Sequence, residues 1–557
     1  MSRLLRNSFW IAPLLVAGST ISAIAQTTTP ETAEIEDTLE QVTSVSQLAD
    51  VQPTDWAFQA LQSLVERYGC IAGYPNSSFR GNRAMTRYEF AAGLNACLNR
   101  VQELIATSTA DVVKKEDLEI LQKLQQEYAD GLVELRGRLD SLESRTAVLE
   151  TEQFSTTTKL SGDVIFALGG VFGGDRPLNS DQWRTTPTPA RSSLQDNTIF
   201  SDRVRLIFDT SFSGKDRLRL ILKANNTIAF NGAVSGTQMT RLGWDTTVNA
   251  DNRVEVGKLF YNFPVGDKVN VTVDAIGGSF FDNFNTVNPL FSAATTGAVS
   301  RFGRFAPIYR ASNTGLASSR GSGVSAVFKL SDKISLSGGY LARNADNPDE
   351  SRGLFDGTYG ALAQLAFQPH QNLTLALAYA HSYFSGAVAG DVSVSGAEGS
   401  VFANSPFGGG VSTSANHYGL QTSYRFSPQF VLSGWVGYTQ AIAENNATNV
   451  DRGDTADIWN WAVTLGFPDL GKKGNLAGII FGQPPKVTSN DFGLAVPTAT
   501  SPRRLDSDTS YHLEALYRYQ VNSNISITPG LVVIFNPEHN SNNDTIYTGV
   551  IRTTFRF

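Results

Sequence analysis

The sequence predicts a mainly β fold: a sixteen-stranded antiparallel β-barrel that spans a membrane, preceded by a small helical domain and a coiled coil. Three observations carry this prediction. From residue 156 to Phe557, apolar and polar residues alternate in short segments, which places them on opposite faces of extended strands. The connections between these segments alternate between short and long. The chain has 49 Gly, 33 Phe and 17 Tyr among 557 residues. This composition is typical of a membrane β-barrel, in which one face of each strand contacts water.

The first residues have the pattern of a secretory signal. Arg3 and Arg6 precede an apolar run, and an Ala-Ile-Ala cleavage motif ends at Ala25. A retained membrane anchor is the alternative. We expect residues 1–25 to be a signal peptide and residues 26–43 to form an acidic linker.

No later stretch of 18 apolar residues predicts a transmembrane helix. The net charge of -7 and the absence of a basic patch predict no nucleic-acid partner.

Residues 44–108 have the pattern of two helices joined by a turn. The stretch TDWAFQALQSLVERYG predicts the first helix, because apolar residues recur at helical spacing and Gly69 follows where helices commonly end. The stretch MTRYEFAAGLNACLNRV predicts the second, in which Thr86 and Glu89 have the spacing of a capping box. The second helix carries an apolar stripe at helical spacing, formed by Phe90, Leu94, Cys97, Leu98 and Val101.

This segment resembles a surface-layer homology (SLH) domain, a type of domain that binds cell-wall polysaccharide. The resemblance is carried by Asp55 and Trp56 at the first helix, by the Gly73-Tyr74 turn, and by Arg87 at the second helix. These five residues would bind a peptidoglycan-linked polysaccharide. Trp56 and Arg87 are the expected main contacts, because an indole suits a sugar face and a planar cation suits an anionic substituent. The sequence departs from the family pattern after Arg87, where a Tyr stands in place of the common Ala.

Cys70 and Cys97 are the only two cysteines of the chain. Export permits a disulfide between them. Two small buried apolar side chains are the alternative.

Residues 111–153 predict a coiled coil. Apolar residues recur at two heptad positions, and polar residues fill most of the others. A single helix of this composition is marginal in water, so we expect self-association into a trimer, with a dimer left open. The two heptad positions hold Leu118, Leu132 and Leu139, and Leu121, Tyr128, Leu135, Leu142 and Leu149.

Residues 156–557 form the predicted barrel, in which we count sixteen strands. Hairpins surround turn residues such as Gly214-Lys215-Asp216 and Gly266-Asp267. Short joins alternate with long ones rich in Gly, Ser, Asn and Asp, so all short turns lie at one end of a barrel with an even strand count. A soluble sandwich rarely keeps that parity. The apolar face also has aromatics suited to membrane interfaces, namely Tyr418, Tyr424, Phe426, Trp435, Tyr438, Trp459, Trp461, Tyr511, Tyr517 and Tyr519.

The C-terminal strand ends on an aromatic residue. Phe555 and Phe557 would face lipid, and Arg552 and Arg556 the wet lumen. A last-residue Phe after alternating apolar positions resembles the signal recognised by outer-membrane assembly machinery.

The longest outer connection runs from Gly278 to Arg320, between the fifth and sixth strands. In general porins the third outer loop folds inward and narrows the pore; an ordinary surface loop is the alternative. Charged side chains around a lumen set which ions pass. A basic wall favours anions, but pairing with nearby acids could cancel the preference. The residues expected at the lumen or constriction are Arg203, Arg205, Arg217, Arg219, Lys223, Arg253, Glu255, Asp274, Asp282, Arg301, Arg304 and Arg310.

The barrel segment resembles the OprB-type carbohydrate-selective porins, and the whole arrangement resembles cyanobacterial outer-membrane porins often labelled iron-uptake porins. The resemblance implies a homotrimer in the outer-membrane lipid, with the SLH domain and coiled coil in the periplasm. It implies passive diffusion of small solutes and inorganic ions, iron included, with no cofactor and no metal site. Carbohydrate selectivity, or a structural tether with a plugged barrel, is the alternative. Five His residues form no convincing catalytic constellation, so no enzyme is predicted.

Overall fold

The computed structural model describes two parts of the chain. In the N-terminal part these are residues 40–41, 43–55, 57–73 and 87–107 with isolated neighbours, and in the C-terminal part residues 157–186, 189–247, 250–312, 321–493 and 501–557. The chain divides into two compact units, Met1–Ala147 and Val148–Phe557. The predicted signal peptide lies outside the described residues, as do nearly all of the predicted linker and coiled coil.

The N-terminal unit has a small apolar core around its first helix. Helix α1, Phe58–Gln62, continues into a π-helical turn, Ser63–Arg67, and Gly69 follows with a φ of 60°. Only glycine adopts this left-handed conformation without strain, so it ends the helix as the sequence predicts. The other elements are the 3₁₀ turn Val45–Gln47, strands β1 (Glu40–Gln41) and β2 (Ala72–Gly73), which pair antiparallel, and helix α2 (Arg87–Thr107). The buried core residues are Val45, Leu48, Leu61 and Val65.

Helix α2 exposes most of its apolar stripe. Phe90, Leu94 and Leu98 are each at least half exposed, whereas Cys97 is partly buried. Helical spacing correctly placed these residues on one face, but periodicity does not tell what covers that face. Among the described residues, no helix is long and apolar enough to cross a membrane.

The C-terminal unit is a closed barrel of sixteen antiparallel strands, which confirms the predicted fold class. Each strand pairs with its neighbours in sequence, and β18 pairs with β3 to close the sheet. The strands are β3 (Thr158–Gly173), β4 (Ile199–Thr210), β5 (Arg217–Asn225), β6 (Glu255–Val265), β7 (Val269–Ile276), β8 (Ser322–Lys329), β9 (Ile334–Ala342), β10 (Tyr359–His370), β11 (Leu373–Phe384), β12 (Thr413–Ser427), β13 (Phe430–Ala443), β14 (Thr455–Pro468), β15 (Leu476–Asn490), β16 (Tyr511–Gln520), β17 (Ile525–Phe535) and β18 (Ile546–Arg556).

The connections keep the predicted parity. All short turns lie at one end of the barrel, which we call the periplasmic end, and all long loops lie at the outer end. The longest is the third outer loop, residues 277–321. Short helical segments occur within the long loops, at Ser180–Thr185, Phe280–Asn283, Phe302–Arg304, Pro307–Arg310, Gly353–Asp356, Val401–Asn404 and Pro537–His539.

Aromatic side chains stack on the outward face across neighbouring strands. The rings of Tyr418 and Tyr438 lie 6.0 Å apart between centroids, and Tyr438 lies 4.8 Å from Trp459. These contacts form one of the predicted interfacial girdles. Trp435 does not belong to it, contrary to the prediction. It pairs with Gln421 on the lumen side and its ring packs against Phe302, because its odd position on β13 is opposite in phase to Tyr438.

The C-terminal residue takes part in barrel closure. The Phe557 N–H donates to the Gly162 carbonyl at 3.1 Å, and the Gly162 N–H donates to the Phe557 carbonyl at 2.7 Å. The Phe557 ring covers Gly162, where a Cβ would clash with it, and remains 60% exposed on the outer face. Phe555 packs edge-on against Phe166 of β3, with 5.5 Å between ring centroids. The last two aromatics therefore join the first strand to the last.

Deletion of Phe557 should reduce the yield of assembled barrel in the outer membrane, because it removes two closing backbone hydrogen bonds and the cover on Gly162. Heat-modifiable mobility of the outer-membrane fraction measures assembly. The barrels that do assemble should keep the conductance of the full chain. A normal yield of assembled protein, or an altered conductance, would contradict this role.

Candidate functional site

The third outer loop folds into the barrel. Its large aromatic side chains are almost completely buried, and they pack against inward-facing residues of the barrel wall such as Trp435 and Leu362. This outcome matches the expectation of an inward constriction loop. The buried aromatics are Phe280, Phe284, Phe291, Phe302, Phe305 and Tyr309.

One arginine of the final strand holds the middle of this loop. The Arg552 guanidinium donates from Nη1 to the carbonyls of Ala294 and Ala298, at 2.9 and 3.2 Å, and from Nη2 to that of Gly297 at 2.7 Å. Its charge also lies 4.9 Å from the centre of the Trp244 ring. Arg552 has no exposed surface. The sequence correctly placed it on the lumen side, but it faces the loop rather than water.

Glu514 of β16 holds the next turn of the loop. Its carboxylate accepts the backbone N–H of Val299 at 2.6 Å and that of Ser300 at 3.3 Å, and it also accepts the Ser300 hydroxyl. Charge-assisted hydrogen bonds of this kind are stronger than neutral ones. Glu514 and Arg552 on the barrel wall therefore form hydrogen bonds with backbone groups of the loop that would otherwise be buried without a partner.

Ser300, His512 and Glu514 form a cluster that the sequence did not reveal. His512 Nε2 lies 3.3 Å from the Ser300 hydroxyl and 3.5 Å from the Glu514 carboxylate. Both His512 and Glu514 have no exposed surface. The serine contacts the carboxylate directly and its backbone N–H donates to the same carboxylate, so the three residues fasten the loop to the wall.

Close packing of the loop requires glycine on the wall. A Cβ at Gly478 would clash with the ring of Phe291, and one at Gly530 would lie 2.8 Å from Val299. The loop thus lies directly against the sheet at Phe291 and Val299.

The three loop arginines predicted at the lumen are buried within the loop assembly instead. Arg310 pairs with Glu398 of the outer loop 385–412 at 2.8 Å, and Arg301 lies 3.9 Å from the same carboxylate. Arg304 donates to the Ser292 carbonyl at 2.8 Å. Burial lowers the pKa of Arg304 and Arg310 to about 10 each, so both remain charged at neutral pH. These residues hold the loops together.

A polar cavity of about 1120 Å³ remains between the loop and the wall formed by β4 to β8. Phe281, Asp282 and Asn283 of the loop face it from one side. The wall side includes six of the twelve predicted lumen residues, namely Arg203, Arg205, Arg217, Arg219, Lys223 and Glu255, together with Lys258, Phe260, Asn262 and Thr272.

Most charges at this cavity are paired. Asp163 of β3 bonds to Arg205 at 2.6 Å and to Arg203 at 3.3 Å. Asp209 bonds to both Nε and Nη2 of Arg219, at 2.7 and 2.6 Å. On β5 and β6, Lys223 pairs with Glu255 at 2.9 Å. Asp282 of the loop accepts from Lys258 at 2.6 Å. Strand register produces several of these pairs, because Asp163 opposes Arg205, Asp209 opposes Arg219, and Lys223 opposes Glu255.

Besides the three loop arginines, two predicted lumen residues do not line the cavity. The Arg253 side chain is 65% exposed and pairs with Asp251 at 3.0 Å, because it precedes β6 and is not held by the sheet. Asp274 is buried behind the cavity, where it accepts a 2.6 Å hydrogen bond from Asn283.

Sequence reasoning missed Lys258 because of a bulge in β6. Ile221 opposes Lys258, but the next residue, Leu222, opposes Val256, so Gly257 is an extra residue in the strand. Strict alternation from Glu255 would turn Lys258 outward. A bulge reverses that phase, and a glycine inside a strand is its one signal in the sequence.

In the N-terminal unit, the structure describes only part of the predicted polysaccharide site. The Asp55 carboxylate accepts the Gln52 N–H at 2.7 Å, and Gly73 lies in β2. Trp56, Tyr74 and the Arg87 side chain lie outside the described residues.

Cys70 and Cys97 are joined in a disulfide, which links the end of the first helical segment to α2. Among the residues that the structure describes, no group of three or more His, Cys, Asp or Glu could hold a metal ion.

A closed sixteen-stranded barrel, narrowed by an inward loop beside a polar cavity, has the architecture of a porin. The sequence matches the family model of carbohydrate-selective porins, OprB family, over residues 115–557. The chain belongs to this family. Residues 47–91 match the model of the S-layer homology domain. The chain is therefore an outer-membrane channel, with its S-layer homology domain on the cell-wall side.

Relatives extend over almost the whole chain. The protein sll0772 of Synechocystis sp. PCC 6803 is 41% identical over 538 residues, covering 93% of this chain and 91% of its own length. The protein alr4550 of Nostoc sp. PCC 7120 is 42% identical over 533 residues, covering 93% and 86%. Outer membrane protein SlpA of Thermus thermophilus is 34% identical over 110 residues, 19% of this chain and 12% of its own. The solved OprB of Pseudomonas putida aligns with a TM-score of 0.46 and 12% identity, over 75% of this chain and 97% of its own.

Replacing Arg552 with Met should loosen the third outer loop, because it leaves the carbonyls of residues 294, 297 and 298 buried without a donor. Each unsatisfied group costs about 1–3 kcal/mol. We expect frequent current fluctuations in single-channel recordings, compared with the steady level of the parent. Arg556→Met is the matched control, since Arg556 is exposed on the same strand. Identical traces from the two variants would show that Arg552 does not hold the loop.

Proposed function

We propose that the barrel allows passive diffusion of small hydrophilic solutes and inorganic ions, iron included, across the outer membrane. The polar cavity beside the inward loop is the observation that carries this proposal. Its lining includes charged, amide and hydroxyl groups, which replace part of the hydration of a passing solute. No covalent chemistry is assigned to the chain, and it is proposed to act as a channel and not as an enzyme.

A carbohydrate-selective channel is the second candidate. The description of the matching family supports it, and so do Phe260 and Phe281, which present aromatic surface to the cavity. Aromatic faces suit the apolar side of a sugar ring. A third candidate is a structural tether whose barrel is plugged by its loops, since the third outer loop fills a large part of the lumen.

We propose that the N-terminal domain binds a peptidoglycan-linked polysaccharide and so ties the outer membrane to the cell wall. The match to the S-layer homology domain supports this. Asp55, Trp56, Gly73, Tyr74 and Arg87 are the proposed contacts. Arg87 begins helix α2 and would supply the cation for an anionic substituent.

The proposed assembly is a homotrimer. The heptad pattern of residues 111–153 supports self-association, because a helix of this length and composition gains most of its stability from a partner. Outer-membrane lipid would surround the remaining barrel surface, and aromatic stacks such as Tyr418 and Tyr438 suit the lipid–water interface.

Purified full-length protein should produce single-channel steps in planar bilayers. In liposomes, salts should enter readily, and swelling should slow as sugars increase from mono- to disaccharides. Disaccharide entry at rates near those for salts would favour the carbohydrate candidate. Intact protein without any conductance steps would overturn the channel and leave the plugged tether.

Arg87→Ala should weaken binding of the full-length protein to purified peptidoglycan by about tenfold or more, since a hydrogen bond to a charged group contributes about 1.5–3 kcal/mol. Co-sedimentation measures this. Arg100→Ala serves as the control, because Arg100 lies on the same helix and pairs with Glu103. Conductance should be unchanged in both variants. Equal sedimentation of both variants would remove Arg87 from the binding site.

A further inference from the structure

The wall of the cavity carries more positive than negative side chains. Six cations and three carboxylates line it, the carboxylates being Glu255, Asp282 and Asp346. Two further acids, Asp163 and Asp209, pair with lining arginines but do not line the cavity themselves. Water and solutes in the cavity therefore face more positive than negative groups.

The cations form a track along the length of the pore. On β5, Arg217, Arg219 and Lys223 point to the lumen from odd positions, with Ile221 between them. Alternate residues on a strand are about 7 Å apart, so this row extends over roughly 20 Å from the periplasmic turn upward. Arg203 and Arg205 of β4 lie beside its outer half.

Arg217 is the uncompensated member of the track. Among the described residues, no carboxylate lies within 4.0 Å of its guanidinium group, whereas each of the other five lining cations has one. The Asp209 carboxylate attracts the Arg217 charge, but both of its oxygens already accept from Arg219. The Arg217 side chain is exposed to the cavity.

The Phe260 ring lies close to two cations of the track and to Lys258 of β6. Arg217, Arg219 and Lys258 lie 5.3, 5.9 and 5.7 Å from the centre of the Phe260 ring. The negative face of the ring attracts these groups and orients them without neutralising their charge. Two nearby acids, Asp209 and Asp282, form ion pairs with Arg219 and Lys258. A third, Asp274, lies opposite Phe260 on the neighbouring strand and is buried.

We propose that the channel favours small anions over cations, and that Arg217 sets this preference as the exposed, uncompensated cation at the periplasmic end of the track. This rests on the proposed diffusion function. Planar guanidinium groups also match oxyanions, which accept two parallel hydrogen bonds. Iron would then cross as an anionic complex and not as a bare cation.

The test is the reversal potential of full-length protein in a planar bilayer with a tenfold KCl gradient. The sign should show chloride more permeant than potassium. A unit charge about 5 Å from a passing ion in water raises the local concentration of anions and lowers that of cations by roughly two- to fourfold each, depending on salt. Arg217→Gln should therefore lower the chloride-to-potassium permeability ratio by roughly four- to sixteenfold.

Two variants control for the position and sign of the charge. Arg217→Lys keeps the charge and should retain the parent ratio. Arg253→Gln removes a positive charge outside the cavity and should also leave the ratio unchanged. A parent channel that conducts but prefers potassium would overturn the inference, as would a ratio unaffected by Arg217→Gln. Absence of any conductance by the parent would instead overturn the proposed diffusion function.

Discussion

The inward position of the third outer loop depends on the hydrogen bonds that Arg552 and Glu514 make with its backbone. A loop inside a barrel has no strand partner, and each buried carbonyl or N–H without a hydrogen bond destabilises it. Arg552 supplies donors to three carbonyls, and Glu514 supplies an acceptor to two N–H groups and a hydroxyl. These contacts fix the loop against the final strands of the barrel, and the open space is left beside β4 to β8.

The two sides of the lumen consequently use charge differently. On the side of β16 and β18, Arg552 and Glu514 are fully buried and bonded to the loop, so they contribute to its attachment. On the side of β4, β5 and β6, charged side chains remain at the cavity, where cross-strand register pairs most of them. Partial pairing keeps the wall stable in contact with water while leaving Arg217 available to solutes. The charges on one side of the lumen thus attach the loop, and those on the other side line the cavity.

The sequence predicted the fold closely because alternation of period two and the parity of loop lengths are local signals. Strand count, loop position and the basic residues of β4 and β5 followed from them. Lys258 was missed because a bulge at Gly257 reverses the phase. Trp435 was misplaced because it was grouped with Tyr438, although the two residues are opposite in phase on β13. Arg301, Arg304 and Arg310 were assigned to the lumen, but their partners lie in another loop, 385–412, or in their own. Contacts between loops carry no periodic signal.

The third outer loop leaves open space on one side of the lumen, beside β4 to β8. The accessibility of single cysteines to a charged, water-soluble thiol reagent tests this placement most directly. The two native cysteines are joined in a disulfide, so an introduced thiol reacts alone. Asn262→Cys lies at the cavity and Thr528→Cys lies fully buried on the opposite side of the lumen. We expect the reagent to modify position 262 and reduce conductance, while position 528 stays unmodified. Rapid modification at position 528 with no effect at position 262 would contradict it.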